Sequence, residues 1–231
     1  MAIDPYGVSI VIMAFVLSTL ATRITLNLYK ELGIEFFKYS AWACISLVLM
    51  VSGYIFPAIL SSAEYAIIVF GGQVLLASFG LLALAFLIAA CENLKQNPNE
   101  GVINAGFLIS GALIVSRFQL NQYTITWTGT RWLQQYGTNV IGLSIVMFMM
   151  LLAVMGPIVF RVWRRIRKSE MYRTESNVLF LGFAILLAFY GIYTIVLNSI
   201  GFAISSLGAS YFVFLILIAG AAGVLARLLR L

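Results

Sequence analysis

The sequence predicts an all-α integral membrane protein, a bundle of seven transmembrane helices with the N-terminus outside and the C-terminus in the cytoplasm. The first observation is the composition: 62% of the residues are hydrophobic, 10% are charged and the mean hydropathy is +1.04. These values lie outside the range of soluble globular domains. The second observation is the presence of seven long apolar stretches. The third is a regular alternation in the basic charge of the segments that join them.

The length of the chain sets the number of helices. Its 231 residues are enough for seven spans of about 20 residues each, with little left for a soluble domain, so residues 1–231 are predicted to form a single transmembrane domain. We predict spans at about residues 8–28, 39–60, 66–90, 101–120, 140–160, 176–200 and 205–228.

Short polar connections separate the first three spans. Arg23 lies near the inner end of the first span, where its long side chain can extend to the lipid headgroups. Pro57 lies near the outer end of the second span, and Ser61, Ser62 and Glu64 form the turn into the third. These features mark the ends of three closely connected helices.

The fourth and fifth spans lie on either side of the longest outer segment. An Asn-Pro-Asn sequence at residues 97–99 is typical of a turn and precedes the fourth span. Gly106 and Ser110 are four residues apart in this span, and such a pair of small residues allows another helix to approach closely. The fifth span is rich in methionine, with Pro157 near its inner end.

The outer segment between these spans has a period of two. Tyr123, Ile125 and Trp127 alternate with three threonines before Gly129, which is typical of a short strand or hairpin. The same residues also fit a belt of aromatic side chains at the membrane interface. The sequence leaves both interpretations open.

The last two spans follow a basic connection. Residues 161–173 contain six Arg and Lys residues, and a short Gly- and Ser-containing turn separates the sixth span from the seventh. Ala219 and Gly223 form a second pair of small residues in the seventh span, again predicted to allow close packing. The chain shows no internal repeat of the kind found in inverted-repeat transporters.

Basic residues predict the orientation. Of the fourteen Lys and Arg residues, all but Arg117 and Arg131 fall at the first, third and fifth connections or in the C-terminal tail. Cytoplasmic segments carry such an excess, so these segments are predicted to be cytoplasmic. The net charge of +6 therefore indicates contact with anionic lipids and does not indicate nucleic-acid binding.

One part of the cytoplasmic charge has helical spacing. If the fifth helix continues inward, one basic stripe is formed by Arg161, Arg164, Arg165 and Lys168. This stripe is predicted to contact either anionic lipid or an acidic partner protein.

Enzymatic chemistry and cofactor binding are not expected. The chain has no histidine, its one aspartate is Asp4, and its glutamates lie in loops or at helix ends. No catalytic residues and no metal site can be assembled from this set. The seventh span contains no lysine, so it offers no amine for a retinal Schiff base. We therefore predict a protein without a cofactor.

A set of polar and aromatic residues is predicted to share the outer half of the bundle. These candidate ligand-binding residues are Tyr54, Gln73, Trp127, Tyr190, Tyr193, Asn198 and Tyr211. Together with Trp132 they can line an apolar pocket with a few orienting hydrogen-bonding groups, as small-molecule sites usually do. The alternative is that they form interhelical hydrogen bonds worth about 0.6 kcal/mol each.

Two functions fit these features. The first is a receptor-like sensor in the cell membrane, which binds a small apolar ligand in its outer half and signals to a cytoplasmic partner. In topology and size alone, the chain is similar to the stand-alone seven-helix sensor modules that precede bacterial and archaeal kinases. The second is a cofactor-free accessory subunit of a larger membrane protein complex, which would pack its small-residue faces against other subunits.

Overall fold

A computed structural model describes residues 5–60, 62–95, 97–119, 122–129, 132–166 and 202–203. This part of the chain is mostly helical. Its helices are α1 (Pro5–Leu32), α2 (Glu35–Gly53), α3 (Ile55–Ile59), α4 (Ala66–Glu92), α5 (Glu100–Arg117) and α6 (Thr138–Ile166). Its strands are β1 (Tyr123–Trp127), β2 (Trp132–Tyr136) and β3 (Phe202–Ala203).

Five helical segments are long and apolar enough to cross a membrane, which makes the chain compatible with membrane insertion. They are Val11–Leu32, Glu35–Pro57, Ala63–Glu92, Glu100–Arg117 and Thr138–Ile158. Each overlaps one of the first five predicted spans. The predicted spans 176–200 and 205–228 lie outside the described residues, so the sixth and seventh helices and the orientation stay predictions.

The helix of the second predicted span is broken near one end. α2 ends at Gly53, Tyr54 adopts a helical conformation at its C-cap, and α3 begins at Ile55. Pro57 explains the break, because proline has no N–H to donate to the carbonyl four residues earlier, which is that of Gly53. The carbonyl oxygen of Gly53 therefore needs a partner from elsewhere in the fold.

α4 is the central helix, and it packs against α2, α3, α5, α6 and β1. Small residues allow its close approach to α2: a Cβ atom built on Gly53 would lie 2.5 Å from the Cβ atom of Leu76. On its other side, Gly106 faces Ile88, and the Ser110 hydroxyl donates to the carbonyl of Leu81 at 3.0 Å. The predicted close packing of this small-residue pair is confirmed.

α1 covers the other side of α2 with a stripe of small residues. Ala14, Ser18, Ala21 and Thr25 recur at three- and four-residue spacing and are buried, while α1 packs against α2 and α3. The hydroxyls of Ser18 and Thr25 donate to backbone carbonyls one turn earlier. Their polar groups are thus satisfied within α1, and the small stripe can pack closely against α2.

A small antiparallel sheet lies at one end of the helices, here called the sheet end. β1 pairs with β2, from Tyr123 opposite Tyr136 to Trp127 opposite Trp132, and Gly129 has a φ of +91° in the turn. β3 pairs with the other edge of β2. The hairpin is confirmed, and the chain is mostly helical rather than all-α.

Candidate functional site

The buried amide of Gln73 occupies the centre of the candidate site. Gln73 lies about two turns into α4, is fully buried, and donates from its Nε2 atom to the Gly53 carbonyl oxygen at 3.0 Å. This is the carbonyl that Pro57 deprives of its helical partner. The Gln73 amide therefore replaces a missing backbone hydrogen bond at the break between α2 and α3.

The same contact fixes the direction of the amide. The Gly53 carbonyl can only accept a hydrogen bond, so the NH₂ group of Gln73 must face it and the Oε1 atom must face away. Oε1 is buried, and no group in the described part of the chain donates to it. Among the described residues, the site thus contains a buried acceptor without a donor.

Exchanging Gln73 for methionine tests the role of the amide in stability. The Gln73→Met substitution is expected to lower the free energy of unfolding by about 1 kcal/mol, because it leaves the Gly53 carbonyl buried and unpaired. In a Pro57→Ala background the backbone N–H of residue 57 can reach that carbonyl, and the same substitution is expected to cost less than about 0.5 kcal/mol. Reversible SDS titration of the unsubstituted protein, Gln73→Met, Pro57→Ala and the double variant measures the cost of losing the amide in each background. An equal cost in both backgrounds would contradict the assignment.

The sheet packs over the sheet end of the helices. The indole N–H of Trp132 donates to the carbonyl of Leu60, which follows α3. The Trp132 ring is buried and lies 5.1 Å from the half-buried ring of Trp127, measured between ring centroids. The hairpin is thereby attached to the broken helix that carries Tyr54.

Arg117 is a buried cation beneath the hairpin. Its guanidinium carbon lies 5.8 Å from the centroid of the Tyr123 ring and 5.5 Å from that of Tyr136, and the two rings stack on each other. Its NH2 group donates to the Tyr136 hydroxyl at 3.4 Å, and the Tyr123 hydroxyl donates to Gln134 at 3.2 Å. Such cation–π contacts stabilise a charge that has left water.

Sequence reasoning placed Arg117 in an outer connection and assigned it no role. The sequence did contain an indication that Arg117 would be buried. The predicted strand of alternating residues begins at Tyr123, only a few residues after Arg117. A strand pair folding back over the end of α5 covers the last side chains of that helix. The alternation of residue types predicted the strand, but it did not predict that the hairpin folds back over the end of α5.

The structure describes three of the seven candidate ligand-binding residues and brings two of them, Tyr54 and Gln73, together. Tyr54 is buried and follows Gly53, whose carbonyl Gln73 binds. Trp127 packs against the hydrophobic core of the helices and the sheet, and this core also contains Tyr54 and Trp132. The remaining four candidates lie outside the described residues: Tyr190, Tyr193, Asn198 and Tyr211.

A second buried polar cluster lies at the end of the helices opposite the sheet. The Glu92 carboxylate, at the end of α4, is fully buried and accepts hydrogen bonds from the Lys95 ammonium and from the backbone N–H of Asn99, the latter at 3.3 Å. The Asn99 side chain in turn caps the N-terminus of α5. The connection between α4 and α5 is therefore folded around a single carboxylate.

The basic stripe begins on α6. This helix continues to Ile166, beyond the predicted end of the fifth span at residue 160, so the first three residues of the predicted stripe lie on it. Arg161 and Arg164 are exposed and three residues apart, and the Arg161 Nε–H donates to the Pro157 carbonyl at 3.2 Å. The side chain of Arg165 and the whole of Lys168 fall outside the described part.

Metal chemistry and family membership add no further assignment. Within the ranges that the structure describes, no three His, Cys, Asp or Glu side chains are grouped so that they could hold a metal ion. The buried polar groups at Gln73, Arg117 and Glu92 are the features of the described residues that a function must explain. No protein family matches this chain, and no curated protein and no solved structure matches it.

Proposed function

We propose that this chain is a non-enzymatic, receptor-like sensor in the cell membrane, which binds a small, largely apolar ligand in the outer half of its helices. The single observation that carries the proposal is the Gln73 amide, which is fully buried and whose oxygen has no donor among the residues that the structure describes. An orienting polar group in apolar surroundings is the usual make-up of a small-molecule site. It lies against the break between α2 and α3, where ligand contact can change the helix geometry.

We also propose the seven-helix topology, which the position of β3 supports. α6 starts at Thr138, immediately after β2, and its 29 residues extend about 43 Å at 1.5 Å per residue. Its last described residue, Ile166, is thus far from the sheet, whereas Phe202 pairs with β2. The predicted span 176–200 would bring the chain back to the sheet end.

The proposed orientation places the sheet end outside. The basic residues of the segment 161–173 follow the end of α6 that is far from the sheet, and excess positive charge favours the cytoplasm. The remaining predicted span, 205–228, would then begin near β3 and return the C-terminus to the cytoplasmic side. The basic stripe of α6 would contact anionic lipid or an acidic partner protein there.

Cysteine labelling tests this topology. Thr126 is exposed on β1, and Asn97 is exposed in the connection between α4 and α5. In intact cells, a membrane-impermeant maleimide is expected to label a Thr126→Cys protein and to label an Asn97→Cys protein only after permeabilisation. The unsubstituted protein is the control, because Cys44 and Cys91 are buried. Labelling of Asn97→Cys in intact cells would reverse the orientation.

The packing of the small-residue faces weakens the alternative that the chain is an accessory subunit of a larger complex. An accessory subunit is expected to offer small-residue faces to other chains. In the described part, the small stripe of α1 packs against α2, and Gly106 and Ser110 of α5 face α4. These faces are used within the chain. The second predicted pair, Ala219 and Gly223, lies outside the described residues.

Nanodisc extraction followed by mass spectrometry separates the two functions. A sensor is expected to be recovered as a monomer or homodimer that carries a stoichiometric small apolar molecule. Stoichiometric recovery of other membrane proteins, with no bound small molecule, would instead favour the subunit and reduce Gln73 to a packing role.

A further inference from the structure

We propose that the ligand of the outer site is a lipophilic molecule with a hydroxyl group, and that this hydroxyl donates its hydrogen bond to the Oε1 atom of Gln73. This inference rests on the proposed function, because it requires a ligand site in the outer half. It adds the chemical class of the ligand and the atom that recognises it. It also makes the site selective for a donor over an acceptor of the same shape.

The first step concerns the polarity of the amide. Gln73 Nε2 donates to the Gly53 carbonyl at 3.0 Å, and Pro57 ensures that this carbonyl has no helical N–H partner. If the Nε2 and Oε1 atoms of Gln73 exchanged positions, Oε1 would face the Gly53 carbonyl oxygen, and two acceptors cannot form a hydrogen bond. Gln73 therefore presents an acceptor, and a ligand with only acceptor atoms finds no partner there.

The second step concerns the serines nearest in sequence to Gly53 and Gln73, which are Ser52 and Ser78. Ser52 on α2 donates to the Leu49 carbonyl, and Ser78 on α4 donates to the Val74 carbonyl. Both serines thus use their single proton on the backbone of their own helix. The described residues leave Gln73 Oε1 without a donor, and a buried polar atom in this state favours any molecule that supplies one.

The third step concerns the body of the ligand. Buried residues of the same helices and the same hydrophobic core are apolar, among them Met50, Val51, Val69 and Val74. An ionised group would lose its hydration here without a counter-charge. A neutral molecule with an apolar body and one hydroxyl matches both the surroundings and the acceptor.

Photolabelling with a matched pair of probes tests the inference. The probes are a hexadecanol that carries a diazirine on its chain and the methyl ether of the same molecule, which has the same oxygen but no donor. In nanodiscs, the alcohol is expected to label the segment between Gly53 and Leu76 saturably. The ether is expected to label it about tenfold less, the ratio that corresponds to one hydrogen bond of ordinary strength.

A variant pair removes the acceptor without removing the fold. Gln73→Met alone can fail to fold because it leaves the Gly53 carbonyl unpaired, so the substitution is made in the Pro57→Ala background, where a backbone N–H is restored. Saturable labelling by the alcohol is expected in Pro57→Ala and is expected to fall about tenfold in Pro57→Ala/Gln73→Met. Unchanged labelling after loss of the amide would overturn the assignment of Gln73.

The outcomes separate the two proposals. If neither probe labels the wild-type segment saturably, the outer ligand site itself fails, and the proposed function fails with it. If alcohol and ether label it equally, the site stands but the donor selectivity fails. Oε1 is then satisfied by a water molecule or by another part of the chain.

Discussion

Replacing Lys95 by methionine is expected to lower the free energy of unfolding by about 2 kcal/mol, because the fully buried Glu92 carboxylate then keeps only the Asn99 N–H. The loss is smaller than for a pair buried on both sides, since the Lys95 side chain is 34% exposed and Glu92 is not exposed. Reversible SDS titration in detergent measures the change.

A matched control separates burial from charge. Lys38 forms the same three-residue-spaced pair with Glu35, but both side chains are more than 40% exposed, so Lys38→Met is expected to cost clearly less stability than Lys95→Met. The double variant Glu92→Leu/Lys95→Met is expected to recover most of the loss, because no unpaired buried charge remains. Equal losses for Lys95→Met and Lys38→Met would contradict the buried carboxylate.

Replacing Gly53 by alanine is expected to lower the free energy of unfolding by about 1–3 kcal/mol through overpacking. The new Cβ atom would lie 2.5 Å from the Cβ atom of Leu76 and 3.4 Å from the carbonyl oxygen of Gly72. Neither atom can move by a rotation of its side chain, so α2 and α4 must separate. The break that Gln73 bridges would then widen, and thermal unfolding in detergent reports the loss.

Two other glycines provide controls for this substitution. At Gly80, a Cβ atom would meet only the Sδ and Cγ atoms of the Met50 side chain, and that flexible side chain can turn away, so Gly80→Ala is expected to cost less than Gly53→Ala. At Gly111, nothing described lies within 4 Å, and Gly111→Ala is expected to raise stability by up to about 1 kcal/mol. A loss at Gly111 as large as that at Gly53 would show that the effect is not steric.

The first five spans could be predicted from the sequence because membrane helices have a minimum apolar length. Their ends could not be predicted as well, since a helix does not stop where the apolar residues stop. α6 continues for six residues beyond the predicted end at residue 160, through the basic residues that begin with Arg161. The helix continues there although three of the six added residues are arginines.

The candidate site was only partly predictable. Depth along each span placed Tyr54 and Gln73 at one level, and the structure brings them together at the break of α2. Pro57 also predicted the unpaired carbonyl, because a proline within a helix leaves the carbonyl four residues earlier, here that of Gly53, without its N–H partner. It did not show which side chain would supply the missing donor, since that depends on how α2 and α4 face each other.

The pairing of β3 with β2 has a consequence for how the chain is made. β2 emerges from the ribosome well before Phe202 and Ala203, and the intervening segment must be synthesised before they can meet it. Until β3 is made, one edge of β2 therefore has no strand partner. An unpaired strand edge can pair with the edge of another copy of the chain. Completion of the sheet is a late step in biogenesis. A truncation just before residue 202 leaves a protein whose five early helices are made but whose hairpin edge stays exposed to neighbouring copies.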